Sequence, residues 1–100
     1  IKVKELRERL QEVTLIDVRN LSEWNDGHIA GAIHFEGGRI PREPLPFPQD
    51  KPLALQCGAG NRSMIAISVL KRRGIHNVIQ VEGGITQWKM NGFEITKDKN

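Results

Sequence analysis

Cysteine and aromatic residues are scarce in this 100-residue chain, which has one cysteine, Cys57, and 5% aromatic residues. A single cysteine excludes an internal disulfide framework and a cysteine-rich zinc site. No apolar run is long enough to span a bilayer, and the start of the chain shows no signal-peptide pattern. We therefore expect a cytoplasmic location and no membrane partner, because a reducing compartment is the default for such a chain.

The chain also has little net charge and few clustered basic residues. The net charge is +3, and the densest basic run, Lys71-Arg72-Arg73, comes where a predicted helix ends. Cations are favourable at that end of a helix dipole. A clustered basic face interleaved with aromatic residues is missing, so we expect no nucleic-acid partner. The mild positive charge is still suited to attracting small anions.

Short apolar segments alternate with helical patterns along the chain. Helices are predicted over residues 2–12, from about 20 to 26, after the glycine-containing turn to about 73, and around 85–90; strands are predicted over 15–18, 32–35, 53–56 and 77–81. Residues 36–52, which hold every proline, are predicted to be a surface loop, and residues 97–100 a frayed tail. The alternation predicts an α/β domain with a parallel sheet between two helical layers. Residues 1–100 are expected to form one domain, either whole or cut from a longer protein, because the chain begins at Ile1.

The stretch around Cys57 is the candidate for chemistry. It lies between a predicted strand and a predicted helix and reads Cys57, Gly58, Ala59, Gly60, Asn61, Arg62, Ser63. Ligands of parallel sheets bind beyond the carboxyl ends of the strands, where this turn lies. Backbone N–H groups and a helix N-terminus there would stabilise a thiolate. A lone cysteine after an apolar strand is more often a small buried hydrophobe, but the two glycines and Arg62 favour a reactive thiol.

Several motifs resemble one family when their order and spacing are taken together. They are Ile16-Asp17-Val18-Arg19, Glu23-Trp24, Gly27-His28-Ile29-Ala30-Gly31-Ala32, the Cys57–Ser63 loop, Asn77-Val78, and Glu82-Gly83-Gly84-Ile85 followed by Trp88 and Gly92. In this respect the chain is similar to the rhodanese family of sulfurtransferase domains. The resemblance implies a three-layer sandwich with a central five-stranded parallel sheet flanked by helices. It also implies that Cys57 is the nucleophile that carries sulfur.

The predicted reaction is sulfur transfer in two steps. A Cys57 thiolate attacks the sulfane sulfur of thiosulfate or of a persulfide, and the resulting Cys57 persulfide passes that sulfur to a thiol acceptor or to cyanide. Backbone N–H groups of the Gly58–Ser63 loop are expected to hold the negative charge, and Arg62 to stabilise charge or bind the anionic donor. No cofactor is expected, and no metal, because the histidines show no ligand spacing.

The sequence departs from the family pattern directly after Cys57. Many thiosulfate-using members carry a basic or bulky side chain there, whereas Gly58 and Ala59 are small. This weakens the case for thiosulfate as the natural donor and leaves room for a protein or low-molecular-weight persulfide. Asp17, Arg19 and Glu23 are expected to support the site as a buried salt-bridge network. His28 is expected to satisfy backbone groups, not to act as a base.

Two other functions remain open. One is a non-catalytic rhodanese-like interaction or regulatory module, which the retention of Cys57 and Arg62 disfavours. The other is a cysteine-dependent phosphatase or arsenate reductase, which usually places five residues between cysteine and arginine; here four intervene. A fused or separate sulfur-metabolism domain is a further expected partner, compatible with sulfur transfer.

Overall fold

A computed structural model describes residues 1–97 of the chain. Its helices are α1 (Val3–Glu8), α2 (Leu21–Asp26), α3 (Asn61–Arg72) and α4 (Gly84–Met90), with 3₁₀ turns at Leu10–Glu12 and Gly37–Arg39. Its strands are β1 (Thr14–Asp17), β2 (Ile33–His34), β3 (Leu53–Gln56) and β4 (Val78–Gln80). The predicted α/β architecture is confirmed.

The strands form one parallel sheet in the order β2-β1-β3-β4. The five strands that the resemblance implied are therefore wrong for residues 1–97, where the sheet has four. In place of another strand, His28 and Thr96 form an isolated antiparallel bridge through two backbone hydrogen bonds of 2.8 Å.

The two central strands, β1 and β3, are buried along their whole length. Their side chains alternate between the two faces of the sheet, as the strand geometry requires. Leu15 and Ala54 pack with the residues of α1 and α4 on one face, and Ile16 and Leu55 pack with those of α3 on the other. Helices thus cover both faces of the sheet, as is usual for parallel sheets. Cys57 follows β3 at the carboxyl end of that strand.

Element boundaries differ from the sequence predictions in small, explicable ways. The helix predicted over residues 2–12 is split, because Arg9 leaves the helical conformation (φ −113°, ψ 16°) between α1 and the 3₁₀ turn. The predicted helix stops are confirmed at Gly74 and Gly92, which adopt positive φ of 87° and 75°. Residues 98–100 of the predicted tail lie outside the described part. Among residues 1–97, every helix is too short or too polar to cross a membrane.

Candidate active site

Cys57 occupies the first position of the turn between β3 and α3, at the carboxyl end of a central strand. Its side chain is 1% exposed. Gly60, the N-cap of α3, adopts a left-handed conformation with φ 117°, and its N–H donates to Cys57 Sγ at 3.0 Å. A residue with a Cβ rarely adopts this φ, so glycine at position 60 lets the chain turn an N–H onto the sulfur.

The surroundings favour the charged form of the thiol. Burial raises the pKa of the Cys57 thiol, but the backbone N–H and hydroxyl of Ser63 and the N–H groups of Gly60 and Ala59 outweigh it. The pKa therefore lies below its ordinary value. Ser63 Oγ accepts from the Cys57 thiol at 3.6 Å, and its own proton can go to the Gly60 carbonyl or to Gln80. Once the thiol is ionised, that hydroxyl can instead rotate to donate to the thiolate. The backbone N–H donors are fixed before any substrate binds, as in an oxyanion hole.

Backbone N–H groups at the start of α4 form hydrogen bonds to the Cys57 loop. Ile85 N–H donates to the Cys57 carbonyl at 2.9 Å, and Thr86 N–H donates to the Gly58 carbonyl at 3.1 Å. The approach is close enough that a Cβ on Gly84 would lie 2.0 Å from the Cys57 carbonyl oxygen. Because these carbonyls are bound at the rear, the N–H groups of the loop are left to face the sulfur.

Gln80, the last residue of β4, is a site residue that the sequence reasoning missed. Its Nε2 donates to the Gly60 carbonyl at 3.0 Å, and its Oε1 accepts from Ser63 Oγ at 3.2 Å. One amide therefore positions two members of the sulfur-binding loop. The available signal was a polar residue in an otherwise apolar strand that ends at the same sheet edge as Cys57.

Replacing Gln80 by leucine, which has a similar volume, is expected to raise the pKa of Cys57 by loosening Gly60, whose N–H donates to Sγ. The thiolate of Cys57 loses the equivalent of about one net hydrogen bond, so a smaller fraction of the thiol is ionised. Alkylation of Cys57 by iodoacetamide near neutral pH should therefore be roughly fivefold slower. The alkylation rate measured against pH should show its midpoint moved upward. Gln11→Leu, at an exposed glutamine on another surface, is the matched control. An unchanged pH profile in Gln80→Leu would refute the positioning role.

Arg62, in the first turn of α3, is ion-paired. Its Nη1 and Nη2 donate to the two carboxylate oxygens of Glu23 at 2.6 and 3.1 Å. The hydrogen bond from Arg62 lowers the pKa of Glu23 to about 2, and Glu23 in turn raises the pKa of Arg62. The guanidinium also lies over the loop, since a Cβ added to Gly58 would be 3.1 Å from Arg62 Nη2. The small residue after Cys57 thus leaves room for Arg62.

Asp17 and Arg19 form a buried pair behind the loop, while Glu23 does not join it. Arg19 Nε and Nη2 donate to the Asp17 carboxylate at 2.9 and 2.7 Å, and Nη2 also donates to the Gly27 carbonyl at 2.8 Å. Asp17 is paired in register with Gln56, the residue before Cys57. The expected salt-bridge network is therefore two separate pairs, one buried and one at the surface.

The histidines lie apart from this loop chemistry. His28 Nδ1 lies 2.8 Å from the Trp24 carbonyl, and its ring stacks on the indole with centroids 3.4 Å apart. Satisfying a backbone group is the role predicted for it. Within residues 1–97, no three side chains of histidine, cysteine, aspartate or glutamate converge as a metal site would require.

Taken together, the loop offers one ionisable sulfur surrounded by hydrogen-bond donors. Asn61, the first residue of α3, and Ala59 are exposed at its rim. Cys57 Sγ can form a covalent bond to one further sulfur atom, and the surrounding donors can stabilise the negative charge of that atom.

Comparison with known proteins places the chain among domains of this kind. Residues 2–91 match the family model described as a rhodanese-like domain. A putative sulfurtransferase of Bacillus subtilis, YtwF, is 37% identical over 98% of this chain and 90% of its own length. An uncharacterized protein of Synechocystis, slr1261, is 34% identical over 98% of this chain, which spans only 54% of that relative.

Solved structures agree on the fold. The crystal structure of a rhodanese-related protein from Thermoplasma volcanium superposes with a TM-score of 0.90 at 32% identity. The match covers 98% of this chain and 97% of the other. The arrangement of sheet and helices around Cys57 is therefore shared over nearly the full length of both chains.

Proposed function

Because the chain belongs to the rhodanese-like domain family, we propose that it is a sulfurtransferase whose Cys57 carries sulfane sulfur from thiosulfate or a persulfide to a thiol acceptor or cyanide. The observation that carries this proposal is the Gly60 N–H donating at 3.0 Å to Sγ of the buried Cys57. The net lowering of the pKa of Cys57 supports a thiolate nucleophile. No cofactor takes part in the proposed reaction.

The first half-reaction loads the cysteine. The Cys57 thiolate attacks the sulfane sulfur of the donor, a new S–S bond forms, and the S–S bond of the donor breaks. Sulfite leaves with the electron pair when thiosulfate is the donor, and a thiolate leaves when the donor is an organic persulfide. The N–H groups of Ala59, Gly60 and Ser63 would then hold the charge of the Cys57 persulfide.

The second half-reaction returns the free thiolate. A thiolate acceptor or cyanide attacks the outer sulfur of the persulfide, and Cys57 leaves with its electron pair as the original thiolate. The exposed residues Ala59, Asn61 and Arg62 form the rim across which the acceptor arrives. We place the reaction in the cytoplasm, where thiols remain reduced.

The proposal includes a partner for sulfur transfer. This partner is either a second domain in the same polypeptide or a separate sulfur-metabolism protein. The alternative of a longer polypeptide is supported by the Synechocystis relative, of which this chain spans 54%. Such a partner would supply the persulfide or take the sulfur from Cys57.

The proposed function is tested by incubating the protein with cyanide and either thiosulfate or glutathione persulfide and measuring thiocyanate. Catalytic thiocyanate formation above the uncatalysed rate is expected with at least one donor. An aryl phosphate is assayed in parallel. Hydrolysis of that ester without sulfur transfer would replace the proposal with phosphatase activity, and inactivity in both assays would favour an interaction module.

A further inference from the structure

The charge at the rim of the site is set by an ion pair that joins two helices. Glu23 belongs to α2, where it accepts the Asn20 N–H at 3.2 Å as part of a capping box. The carboxylate is therefore anchored on its own helix, and it binds Arg62 through both oxygens. The guanidinium is held in place over Gly58 with its charge already compensated.

We propose that Glu23 is a specificity-determining residue that disfavours thiosulfate and favours organic persulfides, by holding and neutralising Arg62. The inference rests on the sulfur-transfer function proposed above. Glu23 would act on the donor through charge and through Arg62, without touching the reacting sulfur atoms.

The two donor classes differ in charge. Thiosulfate is a dianion, and its attack by a thiolate gathers three negative charges that end on sulfite and the Cys57 persulfide. An organic persulfide in its protonated form, R–S–SH, reacts with the Cys57 thiolate to give Cys57–S–SH and RS⁻. A proton then passes to RS⁻, which leaves RSH and the anionic Cys57 persulfide, so that only one negative charge is present throughout. Without a free cation at the rim, the first reaction is disfavoured more than the second, because it gathers more negative charge.

The shape of the surface next to Arg62 also suits an organic donor. A groove of about 470 Å³ borders this side chain. Its apolar lining comprises Val18, Pro41, Ile65, Ala66 and Val69. Val18 and Ala66 also belong to the cluster that packs around Cys57. The carbon body of a persulfide can be placed on this lining, whereas thiosulfate has no apolar part to place there.

The test compares Cys57 loading from two probes, thiosulfate and 2-hydroxyethyl persulfide, whose body is uncharged. Glu23→Gln keeps the capping box, since glutamine serves at that position, but removes the charge. We expect kcat/KM for thiosulfate to rise about fivefold through a lower KM. The value for the persulfide should change less than about twofold, and the gain should shrink at high salt.

Two further variants separate the causes. Glu43→Gln removes a carboxylate of similar exposure, 39% against 33% for Glu23, that pairs with Arg39 at 2.8 Å. It should change the loading rate with neither donor. Adding Arg62→Gln to Glu23→Gln should abolish the gain, because the released guanidinium is its source.

Equal effects of Glu23→Gln on both donors, or no gain with thiosulfate, would overturn the selectivity role while leaving sulfur transfer intact. If neither probe loads the wild-type protein, the proposed function itself fails and the selectivity role fails with it. Thermal unfolding of each variant confirms that the compared proteins are folded.

Discussion

Cys57→Ser is expected to abolish sulfur transfer while the domain stays folded. A serine hydroxyl fits the same site and can accept the Gly60 N–H that now meets Sγ at 3.0 Å. It cannot form a persulfide, and its pKa is far above that of a thiol. Loss of a covalent nucleophile lowers turnover by at least about 10³-fold.

The measurement is thiocyanate formation with each donor, together with thermal unfolding to verify the fold. Ser63→Ala is an instructive comparison, because it removes a polar contact to Sγ at 3.6 Å but keeps the nucleophile. Its activity should be reduced, not lost. Turnover of Cys57→Ser at the wild-type rate would eliminate the covalent mechanism.

Gly84→Ala is the second variant for which we expect a large effect. The new Cβ would lie 2.0 Å from the Cys57 carbonyl oxygen and 2.8 Å from its carbonyl carbon, and both are backbone atoms that cannot rotate away. Gly84 also has φ 54°, which adds strain for alanine. Helix α4 must therefore move away from the Cys57 loop. The hydrogen bonds from the Ile85 and Thr86 N–H groups to the loop carbonyls are then lost.

Overpacking of this kind costs about 3 kcal/mol in the free energy of unfolding. Displacement of the loop by about 1 Å should in addition lower sulfur transfer roughly 100-fold. Chemical denaturation and the thiocyanate assay measure the two effects. Gly92→Ala is the matched control, because Gly92 has φ 75° at the end of the same helix but open space around its Cβ position. If Gly84→Ala behaves like Gly92→Ala, then α4 does not hold the loop in place.

The parts of the site that follow from local sequence were predictable. An apolar strand, a turn with two glycines and an amphipathic helix specify the β3-turn-α3 unit, and the parallel sheet places Cys57 at its carboxyl edge. The buried Asp17–Arg19 pair was predictable from local sequence too, because Asp17 ends β1 and Arg19 follows it two residues later.

The parts that depend on distant pairing were not predictable. Gln80 reaches the loop from 20 residues beyond Gly60, and Arg62 meets Glu23 across 39 residues. Nothing in the local pattern fixes the side-chain directions that create these contacts. The sequence pattern itself predicted four strands, which is the number found in residues 1–97, and the fifth strand was implied only by the family resemblance.

The central claim is that Cys57 accepts one sulfur atom beneath the amides of its own loop, and intact-protein mass spectrometry tests it most directly. The protein is incubated with thiosulfate or a persulfide, freed of donor, and weighed before and after cyanide is added. We predict a mass increase of one sulfur atom, located on the peptide containing Cys57 and removed by cyanide. An unchanged mass with every donor, or the same increase in Cys57→Ser, would contradict the account.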